Sequence, residues 1–228
     1  MKRLRAILDK HRPDAHIDLH SNNKMSRGAT SQYATFFPYL DKIWFGENFD
    51  YNSMPPETWL TDVSGIPFGV MGDMLQGGGN PWLGLLFGMT SRPFWENEGH
   101  RADPLPIWRL WDTFNIAEST MIGFWHPHCP VKTNNRDILA TIFLHHGSSA
   151  LIIFGNWSKQ DQTIQLNVDW QTLGMDARAL TIVAPFIHGM QRKRTISARQ
   201  QLKIQARKGL IMIASNTKPD LNCNDRKR

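Results

Sequence analysis

Three short extended segments, separated by helical patterns, occupy the first half of this 228-residue chain. Residues 15–20, 42–46 and 66–71 are typical of strands, and the segments between them carry apolar residues at helical spacing or prolines at helix starts. Strands joined through helices pair in parallel with right-handed crossovers. A complete (β/α)8 barrel needs eight such strands and roughly 250 residues. Residues 1–118 therefore predict only the C-terminal portion of a TIM-like barrel.

The helical patterns of this half are specific enough to be checked. Leu4, Ile7 and Leu8 predict an opening helix, and residues 33–40 place apolar side chains at positions i, i+3, i+4 and i+7. Asn80 precedes a proline, which indicates an N-cap with proline in the first helical turn. A further helical stripe follows residue 103.

Beyond residue 118 the pattern changes to short extended runs separated by turn residues, so residues 119–216 predict an all-β module, a small antiparallel β-sandwich. His146, Gly147 and Ser148 mark a hairpin within it. Residues 217–228 lack apolar periodicity and predict a mobile basic tail. The expected strands cover residues 121–125, 138–144, 150–154, 163–168, 180–184, 195–196, 202–204 and 210–213.

The net charge of +6 is a property of the C-terminal end. Residues 1–190 hold 15 Lys and Arg against 18 Asp and Glu, whereas residues 191–228 hold 11 against 2. No aromatic side chain is interleaved with the cations of residues 191–208, so we expect a solvated sheet face and no nucleic-acid partner. No apolar run approaches the roughly 20 residues that cross a bilayer, and no signal-peptide pattern opens the chain. We expect no membrane partner, and the compartment stays open.

Polar side chains follow each of the three predicted strands. In parallel α/β folds the loops after the strands line the functional crevice. Seven of the nine tryptophans precede residue 126, and flat aromatic rings beside carboxylates and amides suit a sugar-binding cleft. The predicted substrate-binding residues are His20, Asn22, Asp50, Tyr51, Asp73, Gln76 and Trp82.

Two carboxyl groups are the candidates for catalysis. Glu47 follows a strongly apolar strand, and shielding by aromatic rings would raise its pKa toward that of a general acid. Asp18 alternates with Ile17 and Leu19, so we expect it on the opposite face of its strand. Each has a structural alternative: Glu47 as a loop cap or ion-pair partner, and Asp18 as a carboxylate bonded to the backbone. Asp18 and His20 form a two-residue pattern that a metal-dependent hydrolase would use, although we expect no metal and no cofactor.

The same residues carry a family resemblance. The runs that carry it are IDLHSNN, FFPYLDKIWFGENFDYN, SGIPFGVMGDMLQGGGNPWLGLLFGMTSRPFW, PIWRLWDTFNI and MIGFWHPHCPV. Over about residues 1–190 the chain resembles glycoside-hydrolase domain proteins of the family-123-like group. The resemblance implies a (β/α)8 barrel followed by a β-sandwich, acting on glycosidic bonds through carboxylates at strand ends. In such relatives further barrel strands precede the stretch that matches Met1.

Family-123 enzymes proper are β-N-acetylgalactosaminidases that use an adjacent Asp-Glu pair together with the acetamido group of the substrate. Here Gly46 precedes Glu47, so no role is carried over from that pair. We predict a glycoside hydrolase domain with a carbohydrate substrate and association through the exposed edge of the incomplete barrel. A non-catalytic carbohydrate-binding protein and a metal-dependent hydrolase are the alternatives.

Overall fold

The computed structural model describes residues 1–20, 34–45, 50–75, 79–92, 96–97, 100–101, 103–197 and 200–216. The chain divides into two compact units, Met1–Pro104 and a second unit that starts at Leu105. Within the described ranges, no helix combines the length and apolar character that a bilayer crossing demands.

The first unit alternates helices with short strands, as the sequence predicts. A 3-10 turn at Phe37–Tyr39 precedes the second strand, and a π-helical turn at Trp59–Val63 continues the second helix. Its elements are α1 Lys2–His11, β1 Asp18–His20, β2 Lys42–Trp44, α2 Pro56–Thr58, β3 Met71–Gly72, α3 Pro81–Leu85, β4 Glu96–Asn97 and β5 His100–Arg101.

Strands β1, β2 and β3 form a parallel sheet in the order of the sequence. Asp18 lies opposite Lys42 and His20 opposite Trp44, and Ile43 lies opposite Gly72. Strands that are neighbours in both sequence and space are what a βα-repeat produces. The predicted parallel pairing of this half is confirmed.

One face of this sheet is the buried one. Its core consists of Ile17, Phe37, Leu40, Ile43 and Val70, with Met1, Leu8 and Leu19 packed against them. Because successive side chains of a strand point to opposite faces, the polar residues of β1 and β2 lie on the other face. The predicted placement of Asp18 opposite Ile17 and Leu19 is therefore confirmed by the burial of Ile17 and the exposure of Asp18.

Two elements differ from the sequence prediction. Residues 34–40 contain one 3-10 turn with Pro38 in it instead of a long helix, because proline cannot donate the backbone bond that a helix interior requires; Tyr33 lies outside the described residues. The third strand covers only Met71–Gly72. Gly65 and Gly69 adopt left-handed φ angles of 66° and 76°, so the segment between them forms a 3-10 turn.

The second unit begins with helix α4, Leu105–Phe114, whose buried stripe is Ile107, Leu110 and Phe114. The strands are β6 Thr120–Ile122, β7 Val131–Lys132, β8 Ile138–His145, β9 Ser149–Asn156, β10 Gln162–Gln165, β11 Asn167–Val168, β12 Thr181–Ala184, β13 Arg194–Thr195, β14 Gln201–Ile204 and β15 Gly209–Ser215. Each extended run predicted from the sequence overlaps a strand of the structure, and β7 is an addition. The mixed α/β class of the chain is confirmed.

All strand pairs of the second unit are antiparallel. Six strands form one sheet in the order β13-β12-β15-β9-β8-β6, and β10 pairs with β14 while β7 pairs with β11. Gly147, with φ of 72°, turns the predicted hairpin between β8 and β9. Alternate residues of β8 and β9 share one apolar core with Ile164 of β10 and Leu202 of β14. Strands of the six-stranded sheet and of the β10-β14 pair therefore bury a common interior.

A buried asparagine ties three segments of this unit together. Asn156 is 0% exposed, and its Nδ2 donates to the carbonyl oxygens of Gln160, Ile204 and Gln205 at 2.8, 3.0 and 3.1 Å. Its Oδ1 accepts from the backbone N–H of Ser158 at 2.9 Å. The pattern Asn-Trp-Ser at this position is a glycosylation sequon in form only, because the amide nitrogen is enclosed in the fold.

Candidate functional site

The site is the polar face of the β1-β2-β3 sheet, which we define by Asp18, His20, Lys42, Trp44 and Asp73. The pairing register places the first four on one face of β1 and β2. Asp73 follows β3, and its backbone N–H donates to the carbonyl of Ile43 at 2.8 Å, which extends the β2-β3 pairing by one residue. The three strands thus present five polar or aromatic side chains to one side.

The electrostatics of this face centre on one lysine. Lys42 Nζ lies 3.7 Å from Asp73 Oδ1, and Asp18 is its register partner on β1. Partial desolvation, followed by repulsion from Asp73, raises the pKa of Asp18, and Lys42 opposes this rise. The face therefore holds one carboxyl group with a raised pKa and one that is paired with a cation.

An aromatic platform adjoins these charges. The imidazole of His20 stacks on the indole of Trp44, with ring centroids 4.4 Å apart and planes inclined by 23°. His20 is exposed and Trp44 is half-buried. Stacked rings beside carboxylates provide both the apolar surface and the hydrogen-bond acceptors that a sugar ring contacts.

The loop after β2 is anchored by aromatic packing. Tyr51 is 5% exposed, its ring lies 5.3 Å from that of Trp59, and its carbonyl accepts from Trp59 Nε1 at 3.2 Å. Asp50 is exposed, and its Oδ1 accepts from the backbone N–H of Asn52 at 3.0 Å. Of the two predicted binding residues in this loop, Asp50 faces solvent and Tyr51 packs inside.

The loop after β3 is tied to the loop after β2 by one side chain. Asn80 Oδ1 accepts from the backbone N–H of Leu83 at 3.2 Å, so the predicted N-cap of α3 is confirmed. Its Nδ2 donates to Asn52 Oδ1 at 3.1 Å. Trp82, a predicted substrate contact, is 5% exposed on α3. The structure thus holds together the two loops that follow neighbouring parallel strands.

Three of the predicted site residues, Asn22, Glu47 and Gln76, lie outside the described residues. In the sequence, Glu47 follows the last residue of β2 by three positions. The two residues that sequence reasoning missed are Lys42 and Asn52. The signal for Lys42 was available, since a lysine that alternates with Ile43 in a buried strand must face the polar side.

The metal-dependent alternative rests on Asp18 and His20. No group of three or more metal-ligating side chains occurs in the part of the chain that the structure describes. The backbone N–H of His128 donates to His126 Nδ1 at 3.2 Å, which uses that ring nitrogen within the loop.

The fold also resembles solved glycoside hydrolases. The GH27 β-L-arabinopyranosidase from Geobacillus stearothermophilus matches with a TM-score of 0.52 and 12% identity, covering 94% of this chain and 53% of the other. A GH86 structure in complex with neoagarooctaose matches with a TM-score of 0.48 and 10% identity, covering 97% of this chain and 47% of the other. The chain spans about half the length of these solved structures. No curated protein matches the sequence.

The likeness to the first of these structures is consistent with the mixed α/β class of the fold. Two family patterns define it further: residues 1–93 match "Glycoside hydrolase 123, TIM-barrel domain", and residues 103–215 match "Glycoside hydrolase 123, C-terminal domain". The chain belongs to glycoside hydrolase family 123. The resemblance identified from the sequence is confirmed.

Proposed function

We propose that the polar face of the β1-β2-β3 sheet is part of the carbohydrate cleft of a glycoside hydrolase. The observation that carries this proposal is the pairing of the His20–Trp44 stack with the Asp18, Lys42 and Asp73 charges on one face. Sugar rings expose C–H groups on their faces and hydroxyl groups at their edges, so aromatic rings and carboxylates together match both.

Hydrolysis of a glycosidic bond needs two carboxyl groups. One donates its proton to the leaving oxygen, and the other acts as nucleophile or assists water at the anomeric carbon. We assign these roles to Glu47 and Asp18. Glu47 is the proposed general acid, and Asp18, which shares the polar face with Lys42 and Trp44, is assigned the second role.

We propose that the remaining predicted residues bind the substrate or hold the loops around it in place. His20, Asn22, Asp50, Asp73 and Gln76 are proposed substrate contacts. Tyr51 and Trp82 are each 5% exposed, and we propose that they act by fixing the loops.

The barrel and sandwich architecture is also a proposal. Sequential parallel strands and the matched barrel pattern over residues 1–93 support a barrel portion, and the shared core of the second unit supports a β-sandwich. Strands β1 and β3 are the outer strands of the three-stranded sheet. Because Leu75, just after β3, forms a parallel bridge with Ser91, the outer edge of β1 is the proposed place of association with further barrel strands or another chain. The boundaries at residues 118 and 216 stay predictions.

The test is an assay for hydrolysis of a panel of neutral oligosaccharides, in which the release of reducing ends is measured. Glu47→Gln and Asp18→Asn should each lower the rate at least about 100-fold, since acid-base groups contribute on that order. Glu57→Gln, at an exposed position on α2, is the matched control and should keep the full rate. Undiminished activity of both site variants would refute the assignment.

A second candidate function is carbohydrate binding without turnover. The His20–Trp44 stack favours it, because an aromatic platform binds sugars whether or not a second carboxyl group is in place. Binding to a glycan panel with no released product would support this function. Absence of binding to every glycan would exclude it.

A further inference from the structure

We propose that the second unit carries a binding groove for an acidic saccharide, formed by Phe124 and residues 131–136. The groove has a volume of about 440 Å³, which falls in the range of small-molecule sites. Its floor is apolar, with Cys129, Ile138 and Ala140 buried beneath it. Polar side chains occupy its rim.

The loop that forms the rim is braced by its own hydrogen bonds. Thr133 Oγ1 lies 2.7 Å from both the carbonyl oxygen of Asn135 and that of Ile138. Asn135 Oδ1 accepts from the backbone N–H of Asp137 at 2.9 Å, and its Nδ2 donates to Gln162 Oε1 at 2.7 Å. A loop held in this way loses little conformational freedom when a ligand binds.

The charge of the groove is positive. Lys132 and Arg136 line it and are exposed, and no acidic side chain is among the lining residues. Neither cation forms a salt bridge with any other residue that the structure describes. Burial raises the pKa of the Cys129 thiol on the floor, and the nearby Lys132 charge partly opposes that rise. Lys132 and Arg136 therefore place two positive charges along the groove.

The remaining side chains match the neutral part of a sugar. Phe124 offers an apolar surface, and its ring meets Trp125 edge-on at a centroid distance of 5.0 Å. Asn134 is exposed and carries both donor and acceptor atoms for hydroxyl groups. A carboxylate or sulfate would lie between Lys132 and Arg136, where a guanidinium pairs with two oxygens at once.

The ligand class is thus a saccharide bearing a uronate or a sulfate group. The choice of a saccharide as ligand rests on the proposed function, whereas the choice of an acidic ligand rests on the positive charge of the groove. The polar face of the first unit is proposed to take neutral sugars, so the two proposals fail under different probes.

The experiment is a calorimetric titration of the full chain with tetragalacturonate, with a chondroitin sulfate tetrasaccharide and with cellotetraose. We expect one or both acidic saccharides to bind, and the pair of probes separates uronate from sulfate recognition. Exchanging both Lys132→Gln and Arg136→Gln should weaken binding of the acidic saccharide by about 10- to 100-fold. The control exchanges Arg192→Gln and Lys193→Gln, which removes the same charge outside the groove, and should change affinity less than about threefold.

Three results would overturn the proposal. The first is an equal loss of affinity for the acidic saccharide in the two double variants. The second is no binding of either acidic saccharide. The third is tighter binding of single-stranded RNA than of either acidic saccharide. Should the groove variant melt differently from the wild type, Asn134→Asp replaces it, since this exposed change adds a negative charge at the rim. Undiminished binding by Asn134→Asp would then count against the groove.

Discussion

The imidazole of His20 and the indole of Trp44 stack across two neighbouring parallel strands, with 4.4 Å between ring centroids. The register of β1 and β2 sets this contact, since the two residues are direct partners. The stack adjoins the Lys42–Asp73 ion pair, in which Nζ lies 3.7 Å from Oδ1. Aromatic and charged groups on one face of one sheet are the basis of the carbohydrate assignment.

Replacing the platform should weaken sugar binding. Trp44→Ala removes the ring on which a sugar would stack, and we expect about a tenfold loss of affinity for a bound neutral oligosaccharide. Trp44→Phe keeps an aromatic face and should lose less. Calorimetric titration measures both, and equal affinities of wild type and Trp44→Ala would contradict the assignment.

Removing the charge of Asp18 should stabilise the fold. The folded-state pKa of Asp18 is raised, so its ionised form costs stability at neutral pH and the cost disappears as pH falls through the unfolded-state value of about 4. Because Asp18 is exposed and solvent screens its charge, Asp18→Asn should raise the melting temperature only slightly at pH 7, and by less near pH 3. Thermal denaturation across this pH range checks the sign; a lowered melting temperature at pH 7 would contradict it.

The pair Arg5 and Asp41 should make the first unit sensitive to acid. Asp41 accepts from the backbone N–H of Ile17 at 2.7 Å and from the Arg5 guanidinium, and these two donors lower its pKa. Its contribution is therefore complete above the unfolded-state value of about 4 and is lost as pH falls through the lower folded-state value.

Asp41→Asn should remove much of this acid dependence. Arg5→Ala should lower the urea midpoint of unfolding at pH 7, because the guanidinium also donates to the carbonyl of Ala15. Lys10→Ala, at an exposed position of α1, is the control and should leave the midpoint unchanged. Urea denaturation at pH 3 and pH 7 measures both effects. If the free energy of unfolding changes equally between the two pH values in wild type and in Asp41→Asn, the prediction is wrong.

Substitutions of Asn80 distinguish its role as the N-cap of α3 from its role in joining the two loops. An aspartate at this position would still cap α3, so Asn80→Asp keeps the bond to Leu83 and loses the one to Asn52. We expect Asn80→Ala to cost about 1 to 2 kcal/mol of unfolding free energy and Asn80→Asp to cost less. In a double-mutant cycle with Asn52→Ala, additive effects would show that the tie between the two loops carries no energy.

Asn156 should be essential to the second unit and free of glycans. Asn156→Ala leaves several buried carbonyl groups without their donor, so we expect a loss of about 3 kcal/mol or more. Urea denaturation measures this loss. Detection of a glycan on Asn156 of the folded protein would contradict its enclosed position.

Local rules predicted much of the fold. Alternation placed Asp18 on the face opposite Ile17, and the Asn80–Pro81 pattern located the start of α3. Local rules predicted the wrong element where backbone conformation is restricted. Pro38 lies in a 3-10 turn instead of a helix, and Gly65 and Gly69 adopt left-handed φ angles where a longer strand was predicted.

Contacts between side chains of different elements could not be predicted from local sequence patterns. Tyr51 is buried because it packs on Trp59, which lies in a separate turn. The Lys42–Asp73 pair depends on the register of β2 against β3, which no local pattern shows. The candidate site was thus predictable in its residue types and strand ends, while its pairings came from the three-dimensional arrangement.

The most direct test of the carbohydrate assignment is hydrogen exchange of the full chain, followed by mass spectrometry, with and without saturating neutral oligosaccharides. The account predicts slower exchange in peptides covering residues 17–20, 42–45 and 71–75 when a neutral oligosaccharide binds. Protection confined to residues 105–216, or no protection with any neutral glycan of the panel, would contradict it.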